Sequence, residues 1–200
     1  MLFRRSLLAG PLAAALFALG PSGVSSQGTT PLFGVGYTAN APRLLAGGSA
    51  WAVFPSLRGF GLYVDAKFST DSPAGTGDEY LAGVTAEQME ADFPAHLFHV
   101  SEDAYRSFNA AVAYMVSREL IAYAGGGWVE RTHYRQYYDE TEEFGRFGFY
   151  WVDDPRYDTS GPNLLAGVLF RLGANVRAQF GAETRPFGFT AGLALNFPGL

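Results

Sequence analysis

Strict alternation of apolar and polar residues is the feature that most constrains the fold of this chain. In segment 60–69 one face is wholly apolar, and the other is Gly, Tyr, Asp, Lys and Ser. Segments 176–185 and 187–197 alternate in the same way. Successive side chains of a β-strand point to opposite faces, so each segment predicts a strand with one apolar face.

Five further segments alternate less regularly, and each is also predicted to be a strand: 32–39, 44–54, 107–116, 120–132 and 163–172. Segment 44–54 is apolar on both faces, which leaves its register open. Segment 120–132 contains Gly125-Gly126-Gly127, which indicates a bulge or a close approach of two backbones and leaves the register of this strand open as well. The eight predicted strands are near the length of about 9 to 11 residues of a tilted membrane-spanning strand.

The links between these strands have unequal lengths. Three links are tight (55–59, 117–119 and 173–175), and two are long and polar (70–106 and 133–162). Counted along an up-and-down sheet, the tight links fall at one end and both long links at the other. Outer-membrane barrels have short turns at one end, long loops at the other and an even strand number. In the first long loop, Thr85 to Gln88 form a capping box that predicts a short helix reaching Asp92.

Composition decides which way the apolar faces point. Only 16% of the 200 residues are charged, and the polar faces consist mainly of Gly, Ala, Asn and Thr. Soluble surfaces are usually richer in Lys and Glu. We therefore predict that the apolar faces meet lipid, and keep a secreted soluble lipocalin-like ligand-binding barrel as the alternative. The net charge of −5 disfavours nucleic-acid binding, and the absence of Cys excludes disulfides and thiolate metal sites.

The N-terminal segment has the pattern of a secretory signal peptide. Arg4 and Arg5 precede an apolar run from Leu7 to Leu19, and small residues follow up to Ser26. The run is shorter than the roughly 20 apolar residues that a membrane-spanning helix needs. The sequence therefore predicts a signal peptide at 1–26 and a β-barrel domain at 27–200.

The last predicted strand resembles the terminal assembly signature of bacterial outer-membrane barrels. Thr190, Gly192, Leu195 and Phe197 occupy the positions of that signature, although Pro198-Gly199-Leu200 follow the final Phe. The chain from residue 27 onward is similar to the small eight-stranded OmpA-like and OmpW-like barrels. This resemblance implies an all-β, eight-stranded antiparallel up-and-down transmembrane barrel in the bacterial outer membrane. It also implies contact with membrane lipids, lipopolysaccharide and the outer-membrane assembly machinery, a monomeric state and no cofactor.

Several charged and polar residues fall on the faces that would line the barrel lumen. They are Asp65, Lys67, Arg171, Arg177, Gln179, Glu183 and Arg185. A lumen of eight strands is just wide enough to be filled by side chains, so paired charges that plug it are the preferred interpretation. The alternative is narrow passive solute permeation, in which Asp65, Arg177 and Glu183 rearrange.

No catalytic or metal site is predicted. Lipid-modifying membrane barrels that resemble this chain use a His, a Ser and an acid. Here His133 has Glu130 and Glu140 nearby, but Arg135 stands where that Ser is expected. His96 and His99, with neighbouring acids, could bind a cation, but their spacing has low specificity. We therefore predict a structural or interaction role, with lipid modification as a minor alternative.

Overall fold

The computed structural model describes residues 31–75, 79–144 and 147–198, and the signal-peptide prediction for 1–26 lies outside them. In chain order the strands are β1 (Leu32–Ala41), β2 (Leu45–Phe54), β3 (Phe60–Ser69), β4 (Tyr80–Thr85), β5 (Leu97–Met115), β6 (Leu120–Asp139), β7 (Gly148–Asp153), β8 (Thr159–Arg171), β9 (Val176–Thr184) and β10 (Phe187–Pro198). One α-helix, α1 (Ala86–Asp92), lies between β4 and β5. In the described part of the chain, no helix is both long and apolar enough to cross a membrane.

Eight of these strands form a closed antiparallel barrel. Their order around the wall is β1-β2-β3-β5-β6-β8-β9-β10, and β10 pairs with β1 from Leu32↔Pro198 to Ala41↔Phe189. Closure leaves the wall with no unpaired strand edge. The predicted eight-stranded antiparallel barrel is therefore confirmed.

The strand pairing also settles two registers that the sequence left open. In β2, Leu45, Ser49, Trp51 and Val53 are buried and face the lumen. In β6, the pairing with β5 is continuous from Met115↔Ile121 to Val100↔Gln136, so the three glycines form no bulge. The glycines instead allow the backbone of β6 to lie close to a neighbouring strand, because a Cβ atom on Gly126 would lie 2.9 Å from the Asn163 carbonyl oxygen of β8.

The two long links differ from the prediction, because much of each is ordered sheet. β5 and β6 continue beyond the barrel wall and stay paired as far as Leu97↔Tyr138. β6 pairs with β8 along 120–131 and then exchanges it for β7 along 134–139, and β4 adds to β7 in parallel. We call this four-stranded part, with α1, the loop-end extension. The prediction of loops at 97–106 and 133–139 was wrong. The β5–β6 hydrogen-bond ladder starts at the tight turn between the two strands, and the polar residues of these segments continue it beyond the barrel wall.

Helix α1 forms where the capping box predicts it. The Thr85 N–H donates to Gln88 Oε1 at 2.8 Å, and the Gln88 N–H donates to Thr85 Oγ1 at 3.3 Å. Ala86 and Met89 on the helix are buried against Tyr137 of β6 and Val152 of β7. The helix therefore covers one face of the loop-end extension.

The apolar faces of the barrel strands point outward and the polar faces point inward. Phe189 is 67% exposed, for example, whereas Lys67 is fully buried. The exposed outward residues include Val35, Tyr37, Leu62, Val64, Phe108, Val112, Trp128, Leu164, Phe170, Phe180, Leu193 and Leu195. A soluble ligand-binding barrel requires the opposite arrangement, with apolar residues inside, so the structure does not favour the lipocalin-like alternative.

Outward aromatic side chains pair near both ends of the wall. Phe33 contacts Phe54 and Phe60 contacts Tyr114 at the tight-turn end, with ring centroids 6.0 and 4.8 Å apart. At the loop end, Phe68 contacts Phe108 at 5.7 Å and Phe187 contacts Phe189 at 6.0 Å. Two aromatic girdles separated by an apolar band are typical of barrels that cross a bilayer.

Candidate functional site: the barrel lumen and the loop-end extension

A buried ion cluster occupies the loop-end part of the lumen. Lys67 Nζ lies 2.9 Å from Asp65 Oδ1 and also pairs with Glu183 Oε1. The side chains of all three residues are 0–1% exposed. One lysine thus faces two carboxylates, which leaves one formal negative charge to be stabilised by other groups. Buried charges persist only when they are paired and hydrogen-bonded.

Neutral side chains around the cluster supply those hydrogen bonds. Asn109 Nδ2 donates to Asp65 Oδ1 at 2.8 Å, and the Tyr63 hydroxyl donates to Asp65 Oδ2 at 2.9 Å. Asn163 Nδ2 donates to Glu183 Oε2 at 3.1 Å. These donors come from β3, β5 and β8, so the cluster ties opposite walls of the barrel together.

Two stacked tyrosines and one glutamine fill the middle of the lumen. The rings of Tyr63 and Tyr123 lie 4.1 Å apart with an interplanar angle of 8°. Gln179 Nε2 donates to the Tyr63 hydroxyl oxygen at 2.6 Å, and Ser49 Oγ donates to Gln179 Oε1 at 3.1 Å. These contacts cross the barrel and hold the rings across its axis.

Arg177 closes the tight-turn end of the lumen. Its guanidinium donates to the carbonyl oxygens of Arg118 and Glu119, at 3.1 and 3.2 Å, and to Asn196 Oδ1 at 3.2 Å. It also lies over the ring of Trp51, 5.5 Å from the ring centroid. Side chains therefore fill the lumen at three levels along β9, namely at Arg177, Gln179 and Glu183.

The structure places five of the seven proposed lumen residues inside the barrel: Asp65, Lys67, Arg177, Gln179 and Glu183. Arg171 and Arg185 are exposed at opposite rims, where β8 and β9 end. Arg171 Nε donates to the Gly173 carbonyl oxygen in the tight turn, and the Arg185 N–H donates to Asn163 Oδ1. Both residues occupy positions whose alternation along the strand predicts an inward side chain. The barrel wall ends before it encloses them.

Sequence reasoning missed several lumen residues that complete the network, among them Tyr63, Asn109, Tyr123 and Asn163. Tyr63, Asn109 and Asn163 lie on faces that the alternation had already assigned to the polar side. The signal was therefore available, but charge was given more weight than position. Tyr123 lay in the glycine-containing strand, whose register the sequence left open.

The residues of the terminal assembly signature occupy both faces of β10. Thr190 is buried in the lumen, whereas Leu195 and Phe197 are 52% and 46% exposed on the outer wall. Gly192 lies against the Tyr37 carbonyl oxygen on β1. The strand continues one residue beyond Phe197, with Pro198 opposite Leu32. The assembly role of these residues stays a prediction.

A network of ion pairs fastens α1 to the loop-end extension. Arg135 Nη1 lies 2.6 Å from Glu90 Oε1, and Arg135 Nε lies 2.8 Å from Asp154 Oδ2. Arg156 Nε lies 2.7 Å from Asp154 Oδ1, and Arg156 Nη1 lies 2.9 Å from Glu90 Oε2. Asp154 is the fully buried member, so the network depends on its remaining ionised.

The loop-end extension is expected to loosen at low pH through Asp154. Burial by itself would raise the pKa of this carboxyl. The hydrogen bonds to Arg156 and the charges of Arg156 and Arg135 outweigh burial, so the pKa of Asp154 lies below the ordinary value of 3.8. A group whose pKa is lowered on folding stabilises the fold above its unfolded pKa and loses that effect as the pH falls through its folded pKa. Pepsin cleavage within 148–158 should therefore stay slow down to about pH 4 and accelerate below it.

Asp154→Asn provides the control for this pH experiment, because an amide does not titrate. Cleavage in that variant should be faster than in the unmodified chain above about pH 4, and the two rates should converge at lower pH, where Asp154 of the unmodified chain becomes protonated. Gel migration of the barrel at the same pH values reports whether the wall itself stays folded. An unchanged pH profile in the variant would contradict the assignment to Asp154.

The structure gives His133 a partner different from those considered in the sequence. His133 Nδ1 lies 2.7 Å from Asp103 Oδ1, across the β5–β6 pair, and not beside Glu130 or Glu140. Arg135, in the position where a Ser was expected, belongs to the Glu90 and Asp154 network. The arrangement is thus a cross-strand pair at the rim.

The two candidate metal-binding histidines of the first long link do not converge. His96 Nε2 lies 3.1 Å from Asp139 Oδ1 and 3.3 Å from Glu143 Oε2, whereas the His99 ring lies against Phe149 at 4.7 Å. Among the residues that the structure describes, no group of three or more His, Asp or Glu side chains is arranged to hold a metal ion. His96, which immediately precedes β5, instead contacts the last residue of β6 and the link between β6 and β7.

Comparison with known proteins gives similarities of shape only. No family model and no curated protein matches the chain. Among solved structures, Ail, the attachment invasion locus protein of Yersinia pestis, is 11% identical with a TM-score of 0.49, covering 85% of this chain and 100% of Ail. A de novo designed transmembrane β-barrel is 14% identical with a TM-score of 0.38, covering 84% and 96%. Neisserial surface protein A is 10% identical with a TM-score of 0.30, covering 83% and 92%.

Proposed function

We propose that this chain is a monomeric barrel of the bacterial outer membrane that acts through its loop-end extension as an interaction protein. The observation that carries the proposal is the inverted distribution of side chains, with large apolar residues exposed on the wall and an ion cluster buried in the lumen. Exposed apolar area on this scale is stable in lipid and not in water. The wall would contact membrane lipids and lipopolysaccharide, and β10 the assembly machinery.

The filled lumen supports a structural role for the barrel in preference to solute permeation. The stacked tyrosines, the Lys67 cluster and Arg177 occupy three levels of the axis. A permeation path would require breaking buried charge pairs, which is costly in a dry interior. The barrel then serves mainly to hold the loop-end extension at the membrane surface.

The loop-end extension has the surface expected of an interaction site. Large apolar side chains lie exposed at its far end, beyond the aromatic girdle of the wall: Leu97, Phe98, Val100, Phe147 and Phe149. The Arg135 guanidinium, which pairs with Glu90, lies over the Phe98 ring, 5.4 Å from the ring centroid. Apolar patches with polar borders mark protein or ligand contacts.

Gel migration and membrane fractionation test the proposal. The unheated chain should migrate differently from the boiled chain, and it should sediment with outer membranes. In planar bilayers, the refolded protein should give a conductance indistinguishable from that of the bare bilayer. A protein recovered wholly in the soluble fraction would overturn the proposal, and a reproducible single-channel conductance would overturn its closed-lumen part.

A further inference from the structure

One edge of β5 leaves the barrel without a neighbouring strand. β3 ends at Ser69, and its last pair with β5 is Phe68↔Arg106. The next N–H on that edge, at Tyr105, donates to Ser69 Oγ at 2.8 Å. Within the described chain, residues 97–104 are then paired with β6 alone. Because alternate residues of a strand direct their N–H groups to the same edge, Ser101 and Asp103 direct theirs to this open side.

A cavity of about 300 Å³ lies against this open edge. Ser101, Glu102 and Asp103 form its β5 side. The turn between β1 and β2 faces them with Arg43 and Leu44, and Asp71 borders the cavity beyond the end of β3. Its volume is at the lower end of the range of ligand pockets. Unpaired strand edges that are not blocked are sites where a further strand can add.

The cavity carries an excess of negative charge. Asp71, Glu102 and Asp103 line it together with Arg43 and His133, and the Arg43 guanidinium lies over the Tyr105 ring, 5.6 Å from the ring centroid. Asp103 Oδ1 lies 2.7 Å from His133 Nδ1, and Asp103 Oδ2 lies 3.5 Å from Arg131 Nη1. The excess charge therefore resides on Asp71 and Glu102, which form no ion pair among the described residues. Burial and the nearby charges of Asp71 and Asp103 raise the pKa of Glu102, which is the expected result when acids lie together without enough counter-charge. A cationic group in the cavity would relieve this repulsion.

We propose that the open edge of β5 at 97–104 binds an extended segment of another protein by strand addition, with a Lys or Arg side chain of that segment in the cavity beside Glu102. This inference rests on the proposed function, because the edge must lie outside the membrane. A second copy of this chain fits the edge poorly, since pairing through β5 would bring a second Glu102 and Asp103 into the same acidic region.

The test uses the full chain refolded in lipid nanodiscs and three labelled peptides, followed by fluorescence anisotropy. The first peptide alternates Val and Lys, the second alternates Val and Glu, and the third is the Val-Lys peptide with N-methylated backbone on its pairing edge. We expect the first to bind about tenfold more tightly than either of the others. The Val-Glu peptide lacks the positive charge, and the N-methylated peptide lacks the ladder hydrogen bonds. Hydrogen exchange of the amides of 97–105 should slow when it binds.

Two protein variants separate the backbone and charge contributions. Ser101→Pro removes an N–H from the open edge while leaving the bonds to β6, and Asp71→Asn with Glu102→Gln removes the charge. Each should weaken the Val-Lys peptide about tenfold, whereas Glu140→Gln, an exposed acid elsewhere in the extension, should not. Equal affinity for the Lys and Glu peptides, or unchanged binding in both variants, overturns the inference. Self-association that Ser101→Pro abolishes would identify a second copy as the occupant and would also overturn it.

Gel migration is recorded for every variant in this series. Heat-dependent migration with no peptide binding would overturn the strand-addition inference and leave the proposed function standing. If the heated and unheated samples of the unmodified chain migrated alike, that result would instead count against the proposed function itself.

Discussion

Replacing Lys67 with methionine is expected to lower the free energy of unfolding of the barrel by about 3–5 kcal/mol. Lys67 is the cation that holds the carboxylates of Asp65 and Glu183 in a fully buried cluster. Its removal leaves two like charges close together with only neutral hydrogen-bond donors. The cost is therefore that of uncompensated buried charge, and not that of lost packing, because methionine has a similar volume.

Urea unfolding in lipid vesicles, followed by tryptophan fluorescence and gel migration, measures this change. Arg106→Met is the matched control, because Arg106 and Glu130 form an exposed pair at 3.6 Å with side chains 55% and 51% exposed. Exposed pairs of this kind contribute less than about 1 kcal/mol. Adding Glu183→Gln to Lys67→Met should recover part of the loss. A Lys67→Met protein as stable as the Arg106→Met protein would contradict the cluster's structural role.

Replacing Leu193 with arginine should cost about 2–4 kcal/mol when the protein is in a bilayer. Leu193 lies near the middle of β10 on the outer face, and its side chain is 59% exposed. In a water-soluble barrel, an exposed leucine could be replaced by arginine at little cost. In a membrane barrel, the same change places a charge at the depth where lipid solvates it least.

Leu172→Arg provides a control with the same exposure. Leu172 is also 59% exposed, but it lies in the tight turn after β8, where its N–H donates to the Val176 carbonyl oxygen. Near the interface the cost of arginine falls to roughly 0–1 kcal/mol. Unfolding free energies measured in lipid vesicles should thus separate the two variants. Equal costs at both positions would indicate that the outer wall does not face lipid.

These two experiments probe opposite faces of the barrel wall. Lys67 tests whether the inward face needs charge neutrality, and Leu193 tests whether the outward face needs an apolar surrounding. Both follow from closure of the wall, which makes one face of every barrel strand an interior and the other a surface. Only a barrel surrounded by lipid should be damaged by both changes.

The strand pattern of the barrel could be predicted from the sequence because it is local. Alternation with period two in segment 60–69 predicts both the strand and its two faces, and β3 covers Phe60–Ser69. The capping box likewise predicts α1, since each of its hydrogen bonds spans three residues. The extension of β5 and β6 beyond the wall was missed, because there the two faces are covered unevenly and alternation is lost. Tyr134 of β6, for example, is buried although it lies in a polar segment.

The sequence by itself determined the number of barrel strands, the inward and outward faces of all of them except β2 and β6, and the end at which the long links lie, because those properties depend on residues close together in the chain. Only the tertiary structure decided which inward groups meet. Lys67 and Glu183 are 116 residues apart in sequence, and so are Tyr63 and Gln179. They come together because closure and strand stagger set the height of each residue along the barrel axis. The open edge of β5 has the same origin, since it exists only where β3 ends and β5 continues.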